Sequence, residues 1–280
     1  MKEIGLNQIQ EAVRALCLEA NIHLNSDIRN ALMVAKDRET SGLGGSIIDT
    51  LIRNADTSEE TGLPLCQDTG LLLVFADIGQ EVHITGGGFE EGVQNGVREA
   101  YREGYFRKSI VQDPFTRVNT QDNTPAVIHT RLVPGDQIKL AVMPKGGGAE
   151  NMSALRMFTP ADGWEGVSRF IIDTVLKAGA NPCPPVIVGV GIGGTFEKAA
   201  LIAKRSLLRS IGQRHPDPVY AEREIQLLKE MNQLGIGPQG CGGVSTALDV
   251  FIETHPCHIA SLPVAVNIQC HSARHQEITL

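Results

Sequence analysis

Apolar residues recur with helical spacing in the first 60 residues of the chain. Four of them are spaced i, i+4, i+7 and i+8, which places them on one face of an amphipathic helix: Ile9, Val13, Leu16 and Cys17. Asn25 and Ser26 can cap a second helix, and a third is predicted over about 46–55. We therefore expect a helical N-terminal part over about 1–60.

Apolar runs bounded by turn residues predict strands further along. The segments 71–78 and 81–86 are predicted to pair around Gly79-Gln80, and 125–133 and 137–143 to form a β-hairpin around Pro134-Gly135-Asp136. Two more apolar runs, VIVGVGI and LPVAVNIQC, predict buried strands. Helices are predicted over about 89–103, 164–177, 196–208 and 222–234.

This mixture of elements favours the α+β class over a regular βα alternation. We expect a helix-rich single domain over residues 1–280, with mixed, largely antiparallel sheets and β-hairpins. No repeat, low-complexity tract or linker divides the chain.

Composition excludes several classes of function. With 280 residues and 42% apolar residues, the chain can bury a large core. A net charge of −7 argues against nucleic-acid or membrane-surface binding, because both require a positive face. The longest apolar stretches are too short to cross a bilayer, and the first residues do not resemble a signal peptide. A cytoplasmic protein is expected.

Six cysteines raise the question of metal chemistry. The chain has no CxxC pair, so a zinc ribbon or a thioredoxin-like site is not indicated. Cys17 lies on an apolar helical stripe and is expected to be a buried thiol. Cys66, Cys183 and Cys270 instead lie beside glycine, proline and polar residues at strand ends, where functional sites are expected.

Two glycine-containing segments offer polar groups near predicted strands. GLPLCQDTG, residues 62–70, combines the Cys66 thiol with an amide and a carboxylate in a turn. An ordinary polar turn remains the alternative. MPKGGGAENMS, residues 143–153, has three glycines that let the backbone approach a ligand and expose N–H groups to an anion. A flexible loop is the alternative there.

Two further segments invite competing interpretations. NPCPPVIVGVGIGG, residues 181–194, holds Cys183 in a proline-rich turn and also matches the G-x-G-x-x-G dinucleotide pattern. The acidic residue expected on a following strand is missing, so the dinucleotide interpretation is weak. The segment 255–275 is rich in His and Cys. A structural role is expected for most of these histidines, and only His258 is singled out.

Three separated cysteines without a fourth suit a 4Fe-4S cluster with one iron that has no protein ligand. Such an iron can act as a Lewis acid in the loss or addition of water. A dicarboxylate substrate would then need arginine or backbone N–H groups to hold it. Composition and spacing leave this as one possibility among several.

The chain resembles a known family over about residues 10–275. LCQDTG, PKGGGAENMS, NPCPPVIVGVGIGGTFEKA, IGPQG and NIQC are similar, in this order, to the iron–sulfur α portion shared by class I fumarate hydratases and L-tartrate dehydratases. The resemblance implies a 4Fe-4S cluster held by Cys66, Cys183 and Cys270. Cys241 and Cys257 fall outside the ligand positions and are expected to be structural.

The resemblance also implies a set of substrate-contacting residues. Gln67 and Asp68 would face the substrate, and Arg107 would pair with a substrate carboxylate. Gly147 would offer its backbone N–H, and His258 would lie near the substrate. Asp68 and His258 are the candidates for acid/base or orienting roles.

Single-chain members of this family continue into a second domain that completes the substrate site. The resemblance therefore implies a separate β subunit, an incomplete site in the chain alone, and a homodimer of the α part within an α2β2 assembly. The PKGGGAENMS loop favours fumarate over tartrate as the substrate. A nucleotide-dependent oxidoreductase and a non-catalytic cluster-carrying subunit are the alternatives from other classes.

Overall fold

The computed structural model describes residues 2–280 and divides into two compact units. The first unit contains the residues up to Asn25, Asn54–Gly147 and Arg274–Leu280. The second contains Ser26–Arg53 and Gly148–Ala273. The predicted α+β class is confirmed, whereas the single domain over 1–280 stays a prediction.

The helices and strands follow one another along the chain without a regular alternation. In order they are β1 (Lys2–Gly5), α1 (Leu6–Ile22), α2 (Ser26–Arg38), α3 (Gly42–Thr61), β2 (Leu71–Gly79), β3 (Val82–Thr85), α4 (Phe89–Glu103), β4 (Val127–Val133), β5 (Ile138–Lys145), α5 (Gly147–Glu150), β6 (Ala154–Phe158), α6 (Gly163–Ala178), β7 (Val186–Gly193), α7 (Phe196–Ser206), α8 (Pro218–Asn232), β8 (Ala247–His255), β9 (Leu262–Gln269) and β10 (Gln276–Thr279).

The predicted helices are confirmed, but four strands were missed. The α1 stripe of Ile9, Val13, Leu16 and Cys17 is fully or almost fully buried, as its spacing predicts. β1, β6, β8 and β10 were not predicted. β1 and β10 are only four residues long and largely solvent-exposed, so neither carries an apolar run.

The sheet of the first unit has the strand order β10-β5-β2-β4, and α1 and α4 belong to the same hydrophobic core. Both predicted strand pairs are wrong. β2 pairs with β5 and β4 rather than with β3, and so it separates β4 from β5. β3 pairs with β1 instead. The reason is burial: β2 is an almost continuous apolar run buried on both faces, which favours a central position with a partner on each edge.

The predicted turn around Gly135 still forms, but it wraps around the end of β2. The N–H of Gly79 donates to Gln137 O at 2.8 Å, and that of Glu81 donates to Gly135 O at 2.9 Å. A side chain at position 79 would overlap the Gly135 carbonyl, so the close approach requires glycine there.

The sheet of the second unit has the strand order β6-β9-β7-β8. All eight residues of β7 are buried. Gly189 and Gly191 lie inside this strand, and a Cβ at either position would overlap backbone carbonyls of α7, at Ala203 and Ala199. The glycine pattern therefore lets a helix pack closely on a strand, and this explains it without a dinucleotide.

This packing predicts a strong effect of adding one methyl group. We expect Gly191→Ala to lower the free energy of unfolding by about 3 kcal/mol, because the Cβ meets backbone that cannot rotate away. Gly45→Ala in α3 is the control, because nothing lies within 4 Å of its Cβ. It should be neutral or stabilising by up to about 1 kcal/mol. Urea denaturation of both variants checks this, and equal midpoints would contradict it.

The register of this sheet separates two ends. β9 runs antiparallel to β7 and pairs Gln269 with Ile187, so Cys270 and Cys183 lie at the same end. β8 runs parallel to β7 and pairs His255 with Gly193 at the other end.

No helix within residues 2–280 has the length and apolarity required to span a bilayer.

Candidate functional site

The Cys66–Gly70 turn of the first unit holds a thiol, an amide and a carboxylate together. Cys66 is half-buried, and its Sγ accepts the Asp68 N–H at 3.4 Å. Its thiol also donates to Gln67 Oε1 at 3.5 Å. A backbone N–H directed at sulfur stabilises a thiolate, the form in which cysteine binds metals.

The Asp68 carboxylate is held by two backbone N–H groups. Its Oδ1 accepts from Gly70 at 3.1 Å and its Oδ2 from Gly147 at 2.8 Å. The Asp68 carbonyl accepts from Arg274 Nη2 at 2.9 Å. The structure brings Asp68 and Gly147 into contact, and the roles expected for them at the substrate stay predictions. The Gly147 N–H, expected to contact substrate, donates here to Asp68.

Arg107 is tied to the same turn through its backbone. Thr69 Oγ1 donates to Arg107 O at 2.9 Å, and Tyr101 OH donates to Thr69 O at 2.7 Å. Burial raises the pKa of Tyr101, which keeps this hydroxyl protonated as a donor. The guanidinium of Arg107 is exposed and has no hydrogen-bond partner within residues 2–280, so it is available for an anion.

The second unit brings Cys183 and Cys270 to one end of its sheet. The residue after Cys270 bridges them: His271 donates its backbone N–H to Cys183 O at 3.4 Å, and its Nδ1 lies 2.9 Å from the same oxygen. Gln239 supports this turn by donating Nε2 to Pro184 O at 2.9 Å, and the same atom lies 3.2 Å from His271 Nδ1.

Cys183 has an unusual backbone. Its φ of +56° is left-handed, which is unfavourable for a residue with a side chain and often marks a functional site. Its side chain is exposed, in contrast to the neighbouring prolines. Because the surrounding turn fixes this conformation, the thiol is directed outward instead of packing as a small hydrophobe.

The other cysteines differ from this set. Cys17 is fully buried, and burial raises its thiol pKa far above the ordinary value. Cys241 and Cys257 are exposed, so their expected structural role is not that of a core residue. Within residues 2–280 no three His, Cys, Asp or Glu side chains form a ready metal-binding group, and a joint role of Cys66, Cys183 and Cys270 therefore stays a prediction.

His258 lies apart from the other predicted residues of the second unit. It belongs to the short connection from β8 to β9, where its carbonyl accepts the Ser261 N–H at 3.0 Å. It lines a pocket of about 660 Å³ with Gly194 and Thr195, at the opposite end of the sheet from Cys183. At about 3.3 Å per strand residue, the length of β7 separates the two ends by roughly 20 Å.

Sequence reasoning missed several residues that hold the site in place. Asn123 is fully buried, with Oδ1 accepting the Ser109 N–H at 2.6 Å and Nδ2 donating to Gly70 O at 3.1 Å. Arg274 is also buried and donates to Asn21 Oδ1 at 3.1 Å. Gln239 lies in the IGPQG motif and Arg274 in the His- and Cys-rich segment 255–275, which could have pointed to them. Asn123 lies in a polar loop that carries no such signal.

Comparisons with known proteins agree with these motifs. The family model described as "Fumarate hydratase (Fumerase)" matches residues 10–279. A putative L(+)-tartrate dehydratase subunit alpha from Methanocaldococcus jannaschii is 43% identical over 273 residues, which cover 95% of both chains. An L(+)-tartrate dehydratase subunit alpha from Escherichia coli is 34% identical over 277 residues, covering 98% of this chain and 91% of the relative.

The family model includes every segment that carries a candidate residue, and these relatives cover 95% or more of the chain. The resemblance predicted from the motifs is therefore confirmed. The chain belongs to the fumarate hydratase (Fumerase) family, and it is a hydro-lyase.

Proposed function

We propose that this chain is the α subunit of an iron–sulfur hydro-lyase that removes water from L(+)-tartrate to give oxaloacetate. The observation that carries the proposal is the set of Asp68, Gly147 and Arg107 around the Cys66 turn, in a chain whose similar relatives are named tartrate dehydratase α subunits. A carboxylate, a backbone N–H and an exposed guanidinium are the groups that a hydroxy-dicarboxylate requires.

Fumarate is the second candidate substrate. The sequence alone favours it, and the family model carries its name. The tartrate dehydratase names at 43% and 34% identity reverse that preference. Tartrate has one hydroxyl more than malate, so a site built for tartrate should discriminate strongly against malate, which leaves a polar group without its partner.

A 4Fe-4S cluster held by Cys66, Cys183 and Cys270 is part of the proposal. The donor chemistry fits: three thiols outside the core, one accepting a backbone N–H and one directed outward by a left-handed turn. When bound, such a cluster supplies a Lewis-acidic iron for the loss or addition of hydroxide.

The residues of the chain supply binding and orientation. Arg107 would pair with one substrate carboxylate, and the Gly147 N–H, which donates to Asp68 Oδ2 in the structure, would be shared between that oxygen and an oxygen of the substrate. The Gln67 side chain, which is exposed next to Cys66, would orient the hydroxyl that leaves. Asp68 would hold or move a proton at Oδ2, the oxygen that is shared with the Gly147 N–H.

His258 remains a proposed substrate contact, but its position changes the way it could act. The register places it roughly 20 Å from Cys183 and Cys270 in the same unit. We therefore propose that it contacts substrate from a second copy of the chain. This fits the predicted homodimer of α subunits, because a symmetric dimer can exchange residues between its sites.

The assembly proposed around this chain contains a companion β subunit, because the relatives are named α subunits. The same resemblance supports an α2β2 complex, and a location in the cytoplasm is part of the proposal. The companion would supply the remaining substrate contacts, so that the α chain alone has no turnover.

One anaerobic experiment tests the activity. The chain is reconstituted with iron and sulfide, its absorbance and EPR spectra are recorded, and the β subunit of the same organism is added with L(+)-tartrate. Oxaloacetate should form only in the mixture, and prolonged aeration should abolish its formation, because an exposed iron is lost on oxidation. Fumarate hydration is measured in parallel and would favour the second candidate. A cluster-loaded mixture that converts neither substrate would overturn the proposal.

A further inference from the structure

A short hairpin in the first unit presents an aromatic side chain almost entirely to solvent. We call residues 109–121 the Phe115 hairpin. Its stem is closed by bonds from Gln112 N to Val118 O at 2.7 Å and from Thr120 N to Ile110 O at 3.0 Å. Phe115, at the tip, is 91% exposed.

The hairpin is held in one shape. At its tip, Asp113 Oδ1 accepts the N–H groups of Phe115 at 2.9 Å and Thr116 at 2.8 Å, and these bonds lower the pKa of Asp113. Arg117 and Gln121 have left-handed backbones, with φ of +56° and +70°. Such conformations in non-glycine residues persist only where surrounding bonds fix them. The fold therefore holds the apolar tip in its exposed position.

The base of the hairpin is bonded to the candidate site. Asn123 joins Ser109 N to Gly70 O, and Thr69 donates to Arg107 O just before the stem begins. A protein that binds to the hairpin would therefore lie next to Arg107 and the Cys66 turn.

A second apolar side chain precedes the hairpin. Tyr105 is 92% exposed, and Val118 in the stem is 55% exposed. Exposed aromatic side chains are enriched among the contacts that dominate binding.

Charge favours a partner that differs from this chain. Residues 105–124 carry three basic and two acidic side chains, in a chain that has 25 basic and 32 acidic residues overall. The net charge of this segment is therefore +1, whereas that of the whole chain is −7, and a two-fold contact would bring two segments of like net charge together. An apolar socket with a carboxylate rim would instead match the tip.

We propose that the Phe115 hairpin is the element through which this chain docks on its companion β subunit, with Phe115 as the anchor. This inference rests on the proposed function, because that function supplies the companion. Docking next to Arg107 would also fix the position of that side chain when the two subunits close the substrate site.

Phe115→Ala should weaken binding of the β subunit by about 30-fold or more, as truncation of an anchor residue does. Isothermal titration calorimetry with the β subunit of the same organism measures this, and the melting temperature of the isolated chain should not change, since the side chain has no core contacts. Ile225→Ala is the control: this isoleucine is 57% exposed on α8 in the second unit, and its truncation should leave the affinity unchanged.

Activity measurements separate this inference from the proposed function. At saturating β subunit, Phe115→Ala should recover the kcat of the unmodified mixture, because the anchor does not touch substrate. Unchanged affinity of Phe115→Ala would overturn the docking role even if the mixture is fully active. Loss of self-association with unchanged β-subunit affinity would assign the tip to a second copy and would also overturn the proposal. Lack of turnover in the unmodified mixture, with the affinity loss present, would refute only the proposed function.

Discussion

Cys183→Ser is expected to abolish cluster binding and, with it, all hydro-lyase turnover. Serine is a much weaker ligand for iron than a thiolate, and two cysteines would not retain the proposed cluster, which uses three. The left-handed backbone at Cys183 directs its side chain outward, so the substitution should leave the turn itself intact. Iron and sulfide analysis, together with the visible absorbance of the anaerobically reconstituted chain, measures the loss.

Two other cysteines serve as controls for this prediction. Cys17 is fully buried and stays a neutral thiol, so Cys17→Ser should keep the cluster at a cost of about 1–2 kcal/mol in stability from burying a hydroxyl. Cys241 is exposed and lies two residues after Gln239, whose side chain donates to Pro184 O next to Cys183. Cys241→Ser therefore tests a cysteine that lies near Cys183 but is not a proposed ligand, and it should keep the cluster. Cluster loss in either control, with retention in Cys183→Ser, would refute the proposed ligand set.

Arg107→Ala is expected to lower kcat/KM of the complete enzyme by at least about 100-fold, or roughly 2.7 kcal/mol, the scale of a charge-assisted pair with a carboxylate. The guanidinium is exposed and has no partner within residues 2–280, so its loss should not affect folding. Arg107→Lys should recover only part of the activity, because an ammonium cannot form the two parallel bonds of a guanidinium.

Arg102→Ala is the control for Arg107, since it removes an exposed arginine from the last turn of α4. Cluster content should be unchanged in both variants, which separates substrate binding from cluster assembly. Equal kcat/KM values for Arg107→Ala and Arg102→Ala would contradict a substrate contact at Arg107.

The sequence predicted individual elements far better than their partners. Helix α1 follows directly from its apolar spacing, and β7 from its apolar run. Both predicted strand pairs are wrong, because pairing depends on which strand is most deeply buried. β2 is the deeply buried strand here, and it lies between β4 and β5. A turn sequence such as Pro134-Gly135-Asp136 fixes the direction of the chain, but it cannot exclude a third strand inserted between the two that it joins.

The candidate site shows the same division. Motif resemblance predicts Cys66, Asp68 and Gly147 as site residues, and the first unit brings Asp68 and Gly147 into contact. The fully buried Asn123 could not be predicted, because it lies in a polar loop of the sequence. Only the structure shows that its amide joins two distant backbone segments. The glycines of β7 matched a dinucleotide pattern, although in the structure they make room for α7.

The sequence by itself determined the family, the helices and the residue types available for chemistry, because motifs and periodicity are local properties of the chain. Only the tertiary structure decided where His258 lies relative to Cys183, and that the Phe115 hairpin is rigid and joined to the Cys66 turn. These relations depend on strand register and on hydrogen bonds between residues far apart in sequence. Which of these bonds form depends on how the whole core is buried, and no local segment of the sequence specifies that.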